Sequence, residues 1–385
     1  MTETNSDISV LFLCSWFPNT TNPTLGNFVE KHAEAAALYS NVSVLAIFPR
    51  EQETRFEFVE EEKNGVHRVI VYYKFIPNSN PFKAITKRLR YLKACKIGFN
   101  HCEKKLGSID IIHLNVVLPL GLFATYLKRI KKFKFVITEH ATAYAPGPNQ
   151  YPSKALSRAS GILRKADHIL PVSSDLGRTL KEIAPNVDQT VVANVVNEEI
   201  FKHQSASPNK KRFIHISTTI DEHKNVTGIL NATAKLKESH SDFELLIVSD
   251  GDVKAHQAKA SALSLNETVQ FEGRKSTEEI AQLVEASTAL VLFSNYENFP
   301  CVIAEAMMIG RPTISTAVNG IPEHVSQSNG ILVEKGNVDE LVEAMRKVLD
   351  REFECKSKEL HDYAMEHFSY QAVGKQLTTI YRRLL

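Results

Sequence analysis

Tryptophan, present once, and cysteine and methionine, present five times each, are the scarcest residues in this 385-residue sequence. The cysteines, Cys14, Cys95, Cys102, Cys301 and Cys355, are odd in number and scattered, with no C-x-x-C pair. That spacing gives neither a disulfide framework nor a zinc site, and it points to a reducing, cytoplasmic setting. One sign of charge does not prevail either: 46 Lys and Arg face 44 Asp and Glu, leaving +2. So small an excess speaks against nucleic acid as a partner. No apolar run approaches the ~20 residues of a membrane span. The opening MTETNSDIS is acidic and polar, and the apolar run behind it, Val10 to Leu13, is short. A secretory leader would start basic and carry a longer core, so none is expected. Internal repeats and low-complexity tracts are missing too.

What is present is an alternation. Apolar residues make up 43% and charged residues 23% of the chain, as in soluble globular proteins, and the length calls for two domains. Short β-branched runs alternate with helix-like stretches, the pattern of βα units on parallel sheets. In the first half, strands are expected at 10–14, 42–48, 66–73, 109–115, 134–138 and 168–173, with a short one near Thr190 to Ala193. Residues 196–211 turn polar and read as a linker. The pattern restarts at 212–217, 243–249, 268–273, 289–293, 312–316 and 330–334. Asn337 and Glu340 form a capping-box-like start for the helix that follows. Two doubly wound α/β domains result, and a ligand is expected in the cleft between their strand C-termini.

The most informative stretch is SNYENFPCVIAEAMMIGRP, residues 294–312. The run ALVLF before it reads as a buried strand. Pro300 suits the first helical position, where its missing N–H costs nothing, and Gly310 followed by Arg311 and Pro312 stops the helix. Between them CVIAEAMMI is apolar on nearly all sides and should be buried. Yet it carries Glu305, and a buried carboxylate needs a partner to offset its desolvation. Eight residues earlier Glu297 sits at the strand's end, near the helix's positive N-terminus, where open α/β sheets bind ligands. Taken alone, Glu297 serves equally well to compensate the helix dipole, whereas the all-round apolar neighbours of Glu305 weigh against a solvent-facing acid. The spacing suggests a site without naming its ligand.

In order, these pieces resemble the retaining nucleotide-sugar glycosyltransferases of family 4, whose GT-B fold sets two Rossmann-like domains facing each other across a cleft. Glu297 and Glu305 match the E-x7-E signature, inside ENFPCVIAEAMMIGRPTIST. NPTLGNFVEKHAEA (22–35) resembles the family's first glycine-bearing loop, VVANVVNEEIF (191–201) the entry to its second domain, and HKN (223–225) its lysine loop. FSYQAVGKQLTTIYRRLL (368–385) looks like the last helix, which crosses back onto the first domain. The implied organisation is an acceptor-side domain over 1–195, a linker over 196–211, a nucleotide-sugar-binding domain over 212–365 and a returning helix over 366–385.

The resemblance implies transfer of a sugar from an NDP-sugar to a hydroxyl of a glycan or lipid-linked acceptor, with retention. Gly26 would let backbone amides approach the donor diphosphate, and Lys224 would neutralise it as it leaves. Glu305 would accept hydrogen bonds from the ribose. Glu297, with the backbone amides of Asn298, Phe299 and Cys301, would hold the sugar's hydroxyls. His140, ending KFVITEH, occupies the place of the family's histidine near the sugar, with Glu139 available as its partner; His113 reads as structural. Thr218 and Gly251 complete the donor side. The family commonly places an arginine five or six residues before the lysine. Here Thr219 and Thr218 stand there, and Arg274 in FEGRKS is available instead. Asp250-Gly251-Asp252 spells the D-x-D that binds a divalent metal in the other large glycosyltransferase fold. At this strand end it reads as turn chemistry, so neither a metal nor another cofactor is expected. A nucleotide-sugar epimerase shares the architecture and is the alternative; a two-lobed solute-binding protein would usually need an export signal.

On the acceptor side, PFKAITKRLRYLKACKIGF (81–99) reads as a basic amphipathic helix, with Lys83, Lys87 and Arg90 beside Phe82, Ile85, Leu89 and Leu92. LKRIKKFKF (127–135) is a second basic cluster. They are either solvated helix faces or a peripheral attachment to an anionic membrane surface carrying a lipid-linked acceptor, on the inner face.

Overall fold

The computed structural model describes residues 8–77, 81–141, 143–144, 150–203, 208 and 210–385. The chain divides into an N-terminal unit, Met1–Val195 with Tyr370–Leu385, and a C-terminal unit, Val196–Ser369.

The N-terminal unit is built on β1 (Ser9–Cys14), β2 (Asn41–Arg50), β3 (Phe56–Lys63), β4 (Val66–Lys74), β5 (Ile111–Asn115), β6 (Lys134–Glu139) and β7 (His168–Pro171). Its helices are α1 (Asn27–Ala37), α2 (Pro81–Leu106), α3 (Gly121–Lys131), α4 (Ser153–Leu163) and α5 (Ser174–Ile183). The sheet order is β3-β4-β2-β1-β5-β6-β7, parallel except for β3 against β4. β1 is buried along its whole length because helices cover both faces. Leu11 and Leu13 join the cluster under α2–α5, while Val10 and Phe12 join the one under α1, the two-residue alternation of a strand.

Three features differ from the sequence reading. β3, FEFVEEEK, was not anticipated; it is a largely exposed antiparallel edge held by β4, and its glutamates discourage pairing with another chain. Around Thr190 to Ala193 there is an isolated bridge, Ile169 to Gln189, and no strand. α2 continues beyond residue 99 to Leu106.

The C-terminal unit contains β8 (Arg212–Ile216), α6 (Asp221–Lys224), α7 (Val226–Lys237), β9 (Glu244–Val248), α8 (Lys254–Ala262), β10 (Val269–Glu272) and α9 (Thr277–Glu285). It continues with β11 (Ala289–Leu292), α10 (Cys301–Ile309), β12 (Thr313–Thr316), β13 (Gly330–Val333), α11 (Val338–Leu349) and α12 (Ser357–Phe368). All six strands are parallel, in the order β10-β9-β8-β11-β12-β13. Both sheets are thus of the doubly wound Rossmann-like kind. Asn337 caps α11 by accepting the Glu340 N–H at 3.1 Å.

The stretch read as a linker begins inside the C-terminal unit: Val196 N–H donates to Phe368 O at 2.8 Å. Residues 204–207 and 209 lie outside the described residues. After α12 the backbone is extended at Ser369, and α13 (Tyr370–Leu384) joins the N-terminal unit. There Tyr370 Oη donates to Glu34 at 2.7 Å and Gln376 Nε2 to Val191 O at 2.9 Å. No helix among the described residues is long and apolar enough to cross a membrane.

Candidate functional site

The C-terminal sheet reverses its winding between β8 and β11, and the loops leaving the C-terminal ends of these strands meet there, as ligand-binding loops do in open α/β sheets. Lys224, at the end of α6, donates through Nζ to Glu297 Oε1. Ser294 Oγ donates to the same oxygen at 2.9 Å, and the Glu297 N–H donates to Asn319 Oδ1 at 3.1 Å. Asn295 ties the two loops together, its N–H on His223 O at 2.7 Å and its Nδ2 on Glu222 O at 3.0 Å. The Lys224 and Glu297 side chains keep 20% and 12% exposure. They are dry enough for the attraction to exceed that of a surface pair and open enough to be reached.

α10 follows directly. Pro300 is its N-cap and not its first helical residue: its ψ of 129° is extended while its carbonyl already accepts the Ile303 N–H at 3.1 Å. Residues Ile303 to Ile309 are buried, and Glu305 among them is 8% exposed. The Phe299 side chain is buried against His324 and Phe368, with ring centroids 4.4 and 5.2 Å away. Asn298 and Cys301 flank it at intermediate exposure.

Where the family has an arginine, this chain has a stitched loop. Thr219 is buried at φ +55°, a conformation that strains a β-branched residue by roughly 1–3 kcal/mol. The network around it explains how it is held. Burial keeps His215 neutral, lowering its pKa to about 4. Its Nδ1–H donates to Val291 O at 2.9 Å, so Nε2 accepts from Ser217 Oγ at 2.7 Å. Ser217 Oγ in turn accepts the Thr219 N–H at 3.0 Å. Thr219 Oγ1 donates to Thr218 O at 2.8 Å and accepts from Ser249 Oγ at 3.1 Å, while Ser249 accepts the Gly251 N–H at 2.9 Å. Gly251 presses on this loop so closely that a Cβ would lie 2.3 Å from Thr218 O. Thr219 is thereby committed to holding β8's loop against β9's, and Thr218 is left exposed. Arg274 is exposed after β10, and none of the ion pairs among the described residues engages it. Asp252 accepts the Lys254 N–H at 3.0 Å, as turn residues do. No group of three His, Cys, Asp or Glu side chains among the described residues could hold a metal ion.

Gly26 and His140 lie in the N-terminal unit. Gly26 is at φ +65°, heading α1, and a Cβ there would sit 2.6 Å from the Trp16 carbonyl carbon; only glycine fits without moving the loop. His140 is half-buried, its ring nitrogens out of solvent, beside Phe28 (4.5 Å between centroids) and His32 (5.2 Å). Burial and the neighbouring His32 hold its pKa well below the ordinary histidine value, while a hydrogen bond with Asn194 opposes the shift. Glu139 is not the partner of the His140 ring. Its carboxylate accepts the backbone N–H groups of Val117, His140 and Ala141 at 3.1, 2.8 and 2.8 Å and the Tyr144 hydroxyl at 2.6 Å. His113 has both ring nitrogens engaged, with Tyr381 Oη and Thr138 Oγ1, each at 2.6 Å. His32, Asn194, Ser294 and Asn319 were not singled out from sequence. They are polar residues in loops or on α1, recognisable only from what they touch.

Two family profiles cover most of the chain. "Glycosyltransferase Family 4" matches residues 34–200 and "Glycosyl transferases group 1" matches residues 197–367. Among curated proteins, the N-acetyl-alpha-D-glucosaminyl L-malate synthase of Bacillus anthracis is 27% identical over 72% of this chain and 76% of its own. Among solved structures, sucrose-phosphate synthase from Thermosynechococcus elongatus superimposes with a TM-score of 0.77 at 19% identity, covering 98% of this chain and 99% of that one. HepE of Anabaena, in complex with UDP and glucose, gives 0.72 at 17% identity, covering 97% and 99%. With two Rossmann-like sheets, the E-x7-E acids on and before α10, and both profiles in register, the chain belongs to glycosyltransferase family 4, of the GT-B fold class.

Proposed function

We propose that this glycosyltransferase moves a sugar from a nucleoside diphosphate sugar to an acceptor hydroxyl, of a glycan or a lipid-linked sugar, with retention at the anomeric carbon. The observation that carries this reading is the Lys224–Glu297 pair at the switch point of the C-terminal sheet. A cation and an acid in contact there can each exchange the other for part of a donor. Lys224 turns to the diphosphate as negative charge develops on it. Glu297, still oriented by Ser294 and Asn319, takes up the sugar's hydroxyls with the backbone of Asn298, Phe299 and Cys301. Glu305 receives the ribose. HepE is a protein of the same fold seen with UDP and glucose, which supports a nucleotide-sugar donor.

The bond from the anomeric carbon to the diphosphate oxygen breaks and one to the acceptor oxygen forms. The acceptor's proton passes to the departing phosphate oxygen on the same face, which accounts for retention without a carboxylate nucleophile. Gly26 and His140 serve from the N-terminal domain, and Thr218, Gly251 and Arg274 from the C-terminal one. The reading includes no divalent metal, which the role of Asp252 as a turn acceptor supports. The five cysteines are thiols, which suits a cytoplasmic setting.

The test is a purified transfer assay with a panel of NDP-sugars and acceptors, resolved by anomeric NMR. A product of the donor's own configuration, formed undiminished in EDTA, is expected. Inverted product, dependence on added metal, or epimerisation of the donor without acceptor would overturn the corresponding part.

A further inference from the structure

Two helices of the N-terminal unit leave apolar stripes facing away from the sheet. On α2, Phe82, Ile85, Leu89 and Leu92 recur at helical spacing and are 81%, 60%, 62% and 41% exposed. On α3, Leu122, Tyr126 and Ile130 recur every fourth residue and are 52%, 57% and 51% exposed. The helices are neighbours: Phe99 meets Phe123 edge-on with centroids 6.2 Å apart, and Lys131 Nζ reaches Glu103 Oε1 at 2.9 Å. Their inner faces share one core cluster, Cys95, Phe99 and Cys102 from α2 with Phe123, Ala124 and Leu127 from α3. Both stripes therefore look outward from one helical layer. Single exposed apolar residues need no explanation, but two such stripes on neighbouring helices do.

The two stretches themselves carry charge of one sign, although Lys128 and Lys131 are ion-paired with Asp167 and Glu103 from neighbouring segments. Residues 81–102 and 117–138 contain no Asp or Glu, while the first supplies six Lys and Arg and the second five. Lys87 leans over Phe75, its Nζ 5.9 Å from a ring that is itself 42% exposed. Against a whole-chain charge of +2, this is a local concentration of cations around exposed hydrocarbon. A second copy of the chain would bring the same cations to the contact and be repelled. An acid-rimmed, oily surface fits instead.

We propose that α2 and α3 together form a docking face for an anionic bilayer leaflet, with the stripes at the headgroup boundary and the cations over lipid phosphates. The face starts where α2 and α3 start, past the C-terminal ends of β4 and β5. That is the edge of the N-terminal sheet at which Gly26 and His140 lie. The proposal stands on this surface alone and not on the transfer chemistry.

The experiment sediments the full chain with phosphatidylcholine vesicles, with and without phosphatidylglycerol, at low and high salt. Binding is expected only with the anionic lipid, and it should weaken as salt rises. Lys87→Glu and Arg88→Glu are each expected to lower the partition coefficient about fivefold or more. Ile85→Ser with Leu89→Ser, and separately Leu122→Ser with Tyr126→Ser, should each lower it at least tenfold, with transfer to a water-soluble acceptor unchanged. Equal binding to both vesicle types, or stripe variants that bind like the unchanged chain, would overturn the proposal. So would self-association in solution that the stripe variants abolish. The charge reversals lie at exposed positions and keep the test decisive should a stripe variant fold poorly.

Discussion

Lys224 and Glu297 are 73 positions apart in the chain and ion-paired at the rim of the C-terminal sheet. The sequence assigns them to different parts of a donor, and in the structure each is the other's partner. Removing either one strands the other as a half-buried, unpaired charge.

Glu297→Ala and Lys224→Ala are each expected to lower kcat by about a hundredfold or more, with the circular dichroism spectrum intact. Because the two act as a unit, the double variant should lose much less than the product of the single losses. A double variant showing the full product would mean that the residues work independently.

Nucleoside diphosphates should raise the melting temperature. At a concentration a hundredfold above Kd the gain is about 2.7 kcal/mol, and the base giving the largest rise identifies the donor class. Lys224→Ala should shrink the shift. If Arg274 supplies the cation missing at Thr218 and Thr219, Arg274→Ala should weaken diphosphate binding about tenfold, the worth of one charge-assisted contact. Unaltered binding would leave the diphosphate to Lys224 and backbone amides.

Gly26→Ala should be costly for two separable reasons. Left-handed φ costs an alanine about 1–2 kcal/mol, and its Cβ would meet the Trp16 carbonyl carbon at 2.6 Å. Gly65 is a control: φ is +75°, but the nearest atom to its Cβ is 3.9 Å away. Gly65→Ala should lower Tm by only a few degrees, and Gly26→Ala by clearly more. Equal losses would show that the Trp16 loop yields freely.

Stability should fall as the medium is acidified below neutrality. Burial lowers the His32 pKa to about 4 from 6.5, and it holds His113 and His140 well below 6.5 too. Below pH 6.5 the unfolded chain takes up protons that the folded chain refuses, so stability is lost from there down to the folded values. For His32 alone the loss is roughly 2 kcal/mol at pH 5. Glu139 acts in the opposite sense, since burial raises its pKa and its contribution declines as pH rises through that value. Urea unfolding at pH 7 and pH 5 is the measurement. No difference would mean that the rings carry charge in the folded state.

What the sequence made legible was whatever the core demands. Runs such as VLFLC and ELLIV are apolar because both faces of their sheets are covered, so the strands could be read off directly. β3 could not, since its acidic residues carry no burial pattern and only its pairing with β4 makes it a strand. In the site, Glu297, Glu305 and Lys224 stood out through a motif. Their geometry did not, because a switch point and not sequence proximity brings Lys224 to Glu297. The Thr219 loop runs against local preference, a β-branched residue at positive φ, and such choices are visible only once their hydrogen bonds are. The stripe on α3 was hidden for a plainer reason: a period of four does not say which side of a helix meets the sheet.

Tyr381, wholly buried, completes the hydrogen bonding of His113 from 268 residues further along the chain. A ribosome therefore delivers the first domain in two instalments, with the whole second domain made in between. Until α13 emerges, the nascent first domain carries an open apolar groove on α1 and one unsatisfied imidazole. The half synthesised later is thus the half that can finish folding sooner, and anything that shortens or occupies α13 would be felt at the opposite end of the polypeptide.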